Sequence, residues 1–226
     1  MLFNACSVKK EKFVNRNWHA LNTKYNTLYN GNIAFDLGRE TFNDTYQDDY
    51  FEVLPIERLE VSGEIKLDSE DNNPNFLIAE EKATKAIQRH SMDIKDEERN
   101  PQIDEAFLLL GKARYFDERY IPALESFNYI LNKYSESDKL NEASIWREKV
   151  NIRLENDDLA IKNLKRLMKY ERLKDQEYAD ARAMLAQAYI NLNAPDTAVQ
   201  NLKVASHYTK KNPEKGRDYY IFGQLY

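Results

Sequence analysis

From Trp18 the apolar positions Leu21, Tyr25, Leu28 and Tyr29 recur three or four residues apart, the spacing that lines one face of an amphipathic helix. Gly31 interrupts the run, and Ile33, Leu37 and Phe42 resume it as far as about Gln47. The spacing therefore predicts a helical hairpin over residues 17–49 that turns at Gly31. Residues 50–75 lose the period. Phe51, Val53, Leu59, Val61 and Ile65, set around Pro55 and Gly63, read as an extended connector, closed by the acidic loop from Asp68 to Pro74. That loop departs from a calcium loop, with Asn73 where glycine is required and Ala79 where the closing glutamate stands. A solvated loop that starts a helix is the reading. Phe76, Ala79, Ala83, Ala86, Ile87 and His90 then mark one helical face.

Beyond Asp104 the pattern repeats. Phe107, Leu110, Gly111, Tyr120, Ala123 and Phe127 fall in the register of the tetratricopeptide (TPR) repeat, a pair of helices crossing at small residues. A second register places Asn156 and Asp157 at the turn, with Ala160 and Leu164 after it; its first helix carries Glu148 instead of a small residue and Trp146 for bulk. A third has Leu185, Ala186, Tyr189, Ala198, Leu202 and Ala205. The expected close-approach alanines Ala123, Ala160 and Ala198 are 37 and 38 residues apart, slightly above the TPR period of about 34. A fourth unit begins at Gly216 with Tyr219, Phe222, Gly223 and Tyr226 and lacks its second helix. The expected continuation is a longer protein or a partner that supplies that helix. The fold class is all-α: a TPR-type α-solenoid over residues 76–226, preceded by a helical hairpin (17–49) and an extended segment (50–75).

Composition narrows the function. The chain has 33 Lys+Arg against 38 Asp+Glu, interspersed, and a net charge of −5, which opposes nucleic-acid binding because no basic stripe is present to neutralise phosphates. One Cys excludes a disulfide framework and a Cys-based metal site. His19, His90 and His207 are isolated in sequence, outside any metal-ligating spacing, and each is read as a surface or packing residue. There is no glycine-rich phosphate loop or nucleophile elbow. Asp48-Asp49, Glu80-Glu81 and Asp157-Asp158 are adjacent, and on a helix adjacent side chains point about 100° apart. No catalytic residue, metal or cofactor is expected, and no apolar run is long enough for a membrane-spanning helix.

A repeat array of this kind offers a concave groove lined by the first helix of each pair. The candidate lining residues are Lys112, Tyr115 and Phe116, then Ile145, Lys149, Ile152 and Arg153, then Gln187. Tyr115, Phe116, Ile145 and Ile152 supply apolar anchors, and Lys112, Lys149 and Arg153 a basic cluster suited to a helix or extended segment with acidic residues. The alternative occupant is the N-terminal segment of the same chain.

The chain opens Met1-Leu2-Phe3-Asn4-Ala5-Cys6-Ser7, a small residue ahead of the only Cys, which looks like the tail of a bacterial lipoprotein signal. Residues 1–16 read as a lipoprotein N-terminus and tether, with Cys6 as the site of acylation. Three segments before the repeats extend the likeness: Asn17-Trp-His-Ala-Leu-Asn-Thr-Lys-Tyr-Asn-Thr-Leu-Tyr-Asn-Gly31, Asp48-Asp-Tyr-Phe-Glu-Val-Leu-Pro55 and Ala83-Thr-Lys-Ala-Ile-Gln-Arg-His-Ser91. With the repeats, they resemble the N-terminal part of the SprE/PorW lipoproteins of the type IX secretion and gliding-motility machinery of Bacteroidota. The resemblance implies a non-catalytic scaffold, lipid-anchored in the outer membrane and facing the periplasm, that links the outer-membrane translocon to periplasmic ring and motor components. Two other readings fit the repeats: a TPR lipoprotein assisting outer-membrane β-barrel assembly, and the TPR front end of a periplasmic hydrolase.

Overall fold

The computed structural model describes Val8 and residues 12–59, 73–210 and 212–226. It is largely helical, with helices packed in sequence as antiparallel pairs. In chain order these are α1 (Phe13–Asn22), a π-helical turn (Thr23–Leu28), α2 (Tyr29–Thr45), α3 (Pro74–His90), the short strands β1 (Asp93–Ile94) and β2 (Glu97–Glu98), α4 (Ile103–Phe116), α5 (Tyr120–Lys133), α6 (Leu140–Arg153), α7 (Asp157–Tyr170), α8 (Asp175–Asn191), α9 (Pro195–Tyr208) and α10 (Asn212–Gln224). The chain divides into two compact units, one of Met1–Asp44 with Ile65–Lys139, the other of Thr45–Glu64 with Leu140–Tyr226. Cys6 and most of the acidic loop lie outside the described residues.

In the first unit the expected hairpin over 17–49 is replaced by one continuous helix: α1, the π turn and α2 follow each other without a break. Gly31 is helical and buried. A Cβ there would stand 2.7 Å from Leu109 Cδ2 and 3.1 Å from Lys82 Cβ, and one at Gly38 would stand 2.7 Å from the Phe76 ring. The two glycines are close-approach residues for α3 and α4, so the tertiary contact overrides the usual helix-breaking tendency. At the π turn the Tyr29 N–H donates to Lys24 O, five residues back. Thr23 Oγ1 donates to His19 O (2.8 Å) and accepts from Asn100 Nδ2 (2.9 Å), and Asn100 Nδ2 also donates to His90 O (2.9 Å). The widened turn is thereby tied to the end of α3. That helix starts on Asn73, whose side chain accepts from the Asn75 N–H (3.0 Å), with Pro74 in the first turn. Between α3 and α4 lies a small hairpin that the apolar spacing did not indicate. Its β1 and β2 pair antiparallel around Lys95 and Asp96, both at positive φ (56° and 63°).

The repeat register is visible in three like turns. After α4, α6 and α8 a single residue takes the left-handed conformation: Glu118 (φ 58°), Glu155 (φ 60°) and Asn193 (φ 53°). In each case its N–H donates to the carbonyl three residues back, and the next N–H donates five residues back, as in Arg119 to Arg114, Asn156 to Asn151 and Ala194 to Tyr189. This is the Schellman pattern, which satisfies the carbonyls left over at a helix end. Four residues past that second donor sit Ala123, Ala160 and Ala198, all fully buried. Gly111 answers Phe127, whose ring would lie 2.6 Å from an added Cβ. At the divergent position Glu148 is buried, and its carboxylate accepts from Arg147 Nε (2.6 Å), Asn151 Nδ2 (2.7 Å) and Asn163 Nδ2 (3.1 Å). Three donors, one from the facing helix α7, make a carboxylate tolerable there.

Two clusters form the core of the second unit. Ile145, Ile152, Leu164, Met184 and Leu185 pack in one, and Leu54, Ala186, Ala198, Leu202 and Ile221 in the other; Ile56 touches both. Leu54 and Ile56 come from the connector, so the extended segment belongs to this core.

A methyl group at Gly31 has no room between α2 and its neighbours. Gly31→Ala should lower the stability of the first unit by about 1–3 kcal/mol, the usual cost of overpacking. A chemical denaturation curve of the variant gives the value, and a gain in stability would contradict the close approach.

Candidate functional site

Connector residues 46–59 carry no helix and run along the first helices of the pairs in the second unit. Pro55 fixes one φ and turns the residue before it toward extended backbone. A segment without helix or sheet leaves its N–H and C=O groups in need of partners wherever it packs against the helices, as it does around Leu54 and Leu59. Side chains from α6, α8 and α10 supply them. Gln224 on α10 is a double clamp: its Oε1 accepts from the Leu54 N–H (3.0 Å) and its Nε2 donates to Glu52 O (2.8 Å). Gln187 on α8 accepts from the Ile56 N–H at Oε1 (2.7 Å), while its Nε2 donates to Asn191 Oδ1 (2.9 Å). Arg217 on α10 donates from Nε to Pro55 O (2.9 Å) and from Nη1 to Asp48 Oδ2 (2.9 Å), and its Nη2 lies 2.8 Å from Asp48 Oδ1 as an ion pair. Arg153 on α6 donates to Leu59 O (3.0 Å).

Two acids of the segment are read as side chains. Asp48 meets Arg217, and Glu57 takes Lys149 Nζ (2.9 Å) and Arg153 Nη2 (3.4 Å). Leu54 and Leu59 supply the apolar anchoring, both almost fully buried. The segment crosses the helices against their chain order, with residues 48–55 on α10, 56 on α8 and 57–59 on α6. Beside it a cleft of about 480 Å³ remains, lined in part by Tyr46, Val53, Ile152 and Ile190.

The candidate groove residues thus fall in two places. Ile145, Lys149, Ile152, Arg153 and Gln187 come together in the second unit, where the chain's own connector sits on them. Tyr115 and Phe116 lie in the first unit and are buried. Phe116 packs against Phe76 (ring centroids 5.4 Å), Phe35 (5.6 Å) and Phe42 (5.9 Å), so α2 and α3 fill that stretch of the expected groove. Lys112 is half-buried beside them. Arg217 and Gln224 were not among the candidates. The register does contain them: Lys149, Gln187 and Gln224 are 38 and 37 residues apart and occupy one repeat position, so extending the lining into the fourth unit finds Gln224.

Charge within the first unit centres on Glu80 of α3, which accepts from Arg114 Nε (2.9 Å) and is paired with Arg119; Arg119 also meets Asp117 (2.6 Å). Burial raises the Glu80 carboxyl, but the two arginines outweigh it and hold it below its ordinary range. The histidines are less isolated than their spacing implies. His19 and His90, 71 residues apart, put their Nδ1 atoms 3.0 Å from each other, and the Trp18 ring lies against both. The pair needs at least one neutral ring. Burial, the His19 ring and nearby Lys85 and Arg89 all lower the proton affinity of His90. Among the described residues no group of three or more His, Cys, Asp or Glu is placed to hold a metal ion, and no helix is long and apolar enough to cross a membrane.

The chain matches no family model and no curated protein.

Two predictions follow from these contacts. Glu57→Ala leaves Arg153 and Lys149 without their shared carboxylate. Loss of hydrogen bonds to charged groups costs about 1.5–3 kcal/mol, so amide exchange across residues 54–59 should accelerate by roughly ten- to a hundredfold. Unchanged exchange would mean that the main-chain clamps alone hold the segment. For His90, the folded state binds its proton less readily than the unfolded chain, so stability falls as pH drops below the ordinary value of about 6.5. His90→Gln should flatten this loss. Hydrogen exchange of α1 and α3 between about pH 7.5 and 5 measures it, and a wild-type profile as flat as the variant's would refute the coupling.

Proposed function

We propose that this chain is a non-catalytic, TPR-type adaptor whose repeat helices hold polypeptide in extended form. The observation that carries the reading is the ladder formed by Lys149, Gln187, Gln224, Arg153 and Arg217, which engages the main chain and two acids of residues 48–59. Main-chain hydrogen bonds supply affinity and flanking pockets supply selection, the logic of extended-peptide recognition. Following the resemblance to the SprE/PorW lipoproteins, the adaptor is anchored through an acylated Cys6 to the outer membrane. It faces the periplasm and links translocon to ring and motor components of a type IX secretion and gliding machinery. No nucleic acid or cofactor enters this role.

The peptide-holding part is tested with a variant whose residues 48–59 are replaced by a Gly/Ser linker, titrated with a synthetic peptide of residues 46–59. Saturable binding that is lost with Gln224→Ala or Arg153→Ala supports the reading, and absence of binding rejects it. The cellular part is tested by cross-linking in native membranes followed by affinity purification and mass spectrometry. Translocon and ring proteins should co-purify, and the N-terminal peptide should begin at Cys6 with a lipid mass. Recovery of β-barrel assembly factors in their place would move the adaptor to that pathway.

A further inference from the structure

The helix made of α1, the π turn and α2 has two apolar faces. One packs into the first unit through Thr27, Leu28, Gly31, Ala34, Phe35 and Gly38, all buried. The other faces outward, apart from Trp18, whose ring also rests against His19 and His90. Val14, Trp18 and Leu21 precede or enter the π turn, Tyr25 lies within it, and Tyr29, Ile33 and Leu37 follow; each is 43 to 72% exposed.

The π turn aligns this second face. From Leu21 to Leu37 the exposed residues advance four positions at a time, and on a regular helix each such step rotates by about 40°. Four steps would carry Leu37 about 160° around the axis, out of line with Leu21. A π turn takes up roughly one extra residue, which removes about 100° of that drift. The result is a stripe opposite the buried face. With Phe13 at its start it offers on the order of 800 Å² of mostly apolar surface, the share of one partner in a standard interface and more than a monomer usually leaves bare.

We propose that the stripe is a self-association surface, covered by the same stripe of a second copy in an antiparallel, two-fold arrangement. Two observations favour that occupant. The spacing is nearly the same read in either direction about a centre between Tyr25 and Asn26: Val14 mirrors Leu37, Trp18 mirrors Ile33, and Leu21 falls within a residue of the mirror of Tyr29. An isologous contact needs such self-complementarity. The charges divide along the helix as well. Lys12, Arg16 and Lys24 lie in the first part, where residues 12–35 contain no acid; Asp36, Glu40 and Asp44 lie in the last part, with Arg39 the one base there. Antiparallel pairing about that centre sets the basic first part of one copy beside the acidic last part of the other; Asp36 falls opposite Asn15 and so next to Arg16, while Lys12 falls opposite Arg39. The beside-stripe positions Asn22, Asn26 and Asn30 are uncharged amides, Asn22 and Asn30 bonded to carbonyls of their own helix (2.8 and 2.6 Å) and Asn26 to Asn22 (2.9 Å). An apolar seam with few charges at its centre is the composition of a protein interface.

The test is sedimentation equilibrium of the unlipidated full chain across micromolar concentrations, with helix content followed by circular dichroism. The wild type should be a dimer, and Tyr25→Glu, near the two-fold centre, should be a folded monomer. Arg16→Glu and Asp36→Arg should each weaken the dimer by about tenfold, and the double variant should regain most of the loss. A wild type that stays monomeric overturns the proposal. So does a dimer unaffected by Tyr25→Glu, or single charge variants that the double variant does not rescue. A monomer that sediments with vesicles of phosphatidylethanolamine and phosphatidylglycerol, and loses this with Tyr25→Glu, would also overturn it and assign the stripe to a lipid surface.

Discussion

Everything in this protein depends on helices crossing where a side chain has almost no volume. Ala123, Ala160 and Ala198 are fully buried, and Gly31, Gly38 and Gly111 leave no space for a Cβ. Close crossing brings the larger neighbours into contact over their whole length, and each Leu, Ile or Phe buried this way contributes about 1.5–3 kcal/mol. Glu148 shows what the constraint demands when it is broken. A carboxylate at a crossing is accommodated only because Arg147, Asn151 and Asn163 all donate to it. The left-handed residues Glu118, Glu155 and Asn193 serve the same end, since each reverses the chain in the shortest space that leaves the next helix in register. None is glycine, so each turn carries a conformational cost of about 1–2 kcal/mol that the packed helices must outweigh.

The connector meets a different constraint. It lays half-buried backbone on the helices without a helix or sheet to satisfy it, and the repeats answer with side chains of matched reach. A glutamine can offer a donor and an acceptor at once, which is why Gln224 closes on both the Leu54 N–H and the Glu52 carbonyl. An arginine offers several donors on one plane, which is why Arg217 holds Pro55 O through Nε and Asp48 through Nη1. The equal spacing of Lys149, Gln187 and Gln224 follows from the repeat period, so the ladder is a product of the same turns that set the crossings.

Local features were legible in the sequence and remote ones were not. The alanine crossings, the turn at Asn156 and the start of α3 near Phe76 are encoded within a few residues, and the structure has them there. Gly31 reads as a break because its reason for being glycine, Leu109 and Lys82, lies far along the chain. The π turn leaves no mark in the apolar spacing except a stripe that otherwise drifts. The hairpin around Lys95 and Asp96 lacks the glycine that announces such turns. His19 and His90 meet because α1 packs against the end of α3, a contact between residues 71 positions apart that no local pattern announces. The groove positions in the second and third repeats follow from the register, but an extended connector has no period, and nothing local announces that it will lie on them. Likewise Tyr115 and Phe116 look like exposed anchors until α2 and α3 are placed over them.

The ladder distinguishes main-chain from side-chain contacts of the connector. Most of its bonds go to backbone atoms, which every extended residue presents, so they discriminate shape and not sequence. Discrimination falls to Asp48, Leu54, Glu57 and Leu59: two acids nine residues apart with apolar residues between and after them. Both acids are placed by local turns, the Glu52 N–H donating to Asp49 O (3.2 Å) and the Leu59 N–H to Glu57 O (2.7 Å), so their spacing depends on these bends. A basic residue at position 57 would face Lys149 and Arg153 with like charge. The contacts that depend on side-chain identity are therefore those of Asp48, Leu54, Glu57 and Leu59, and the connector of this chain supplies them at the spacing the three helices require.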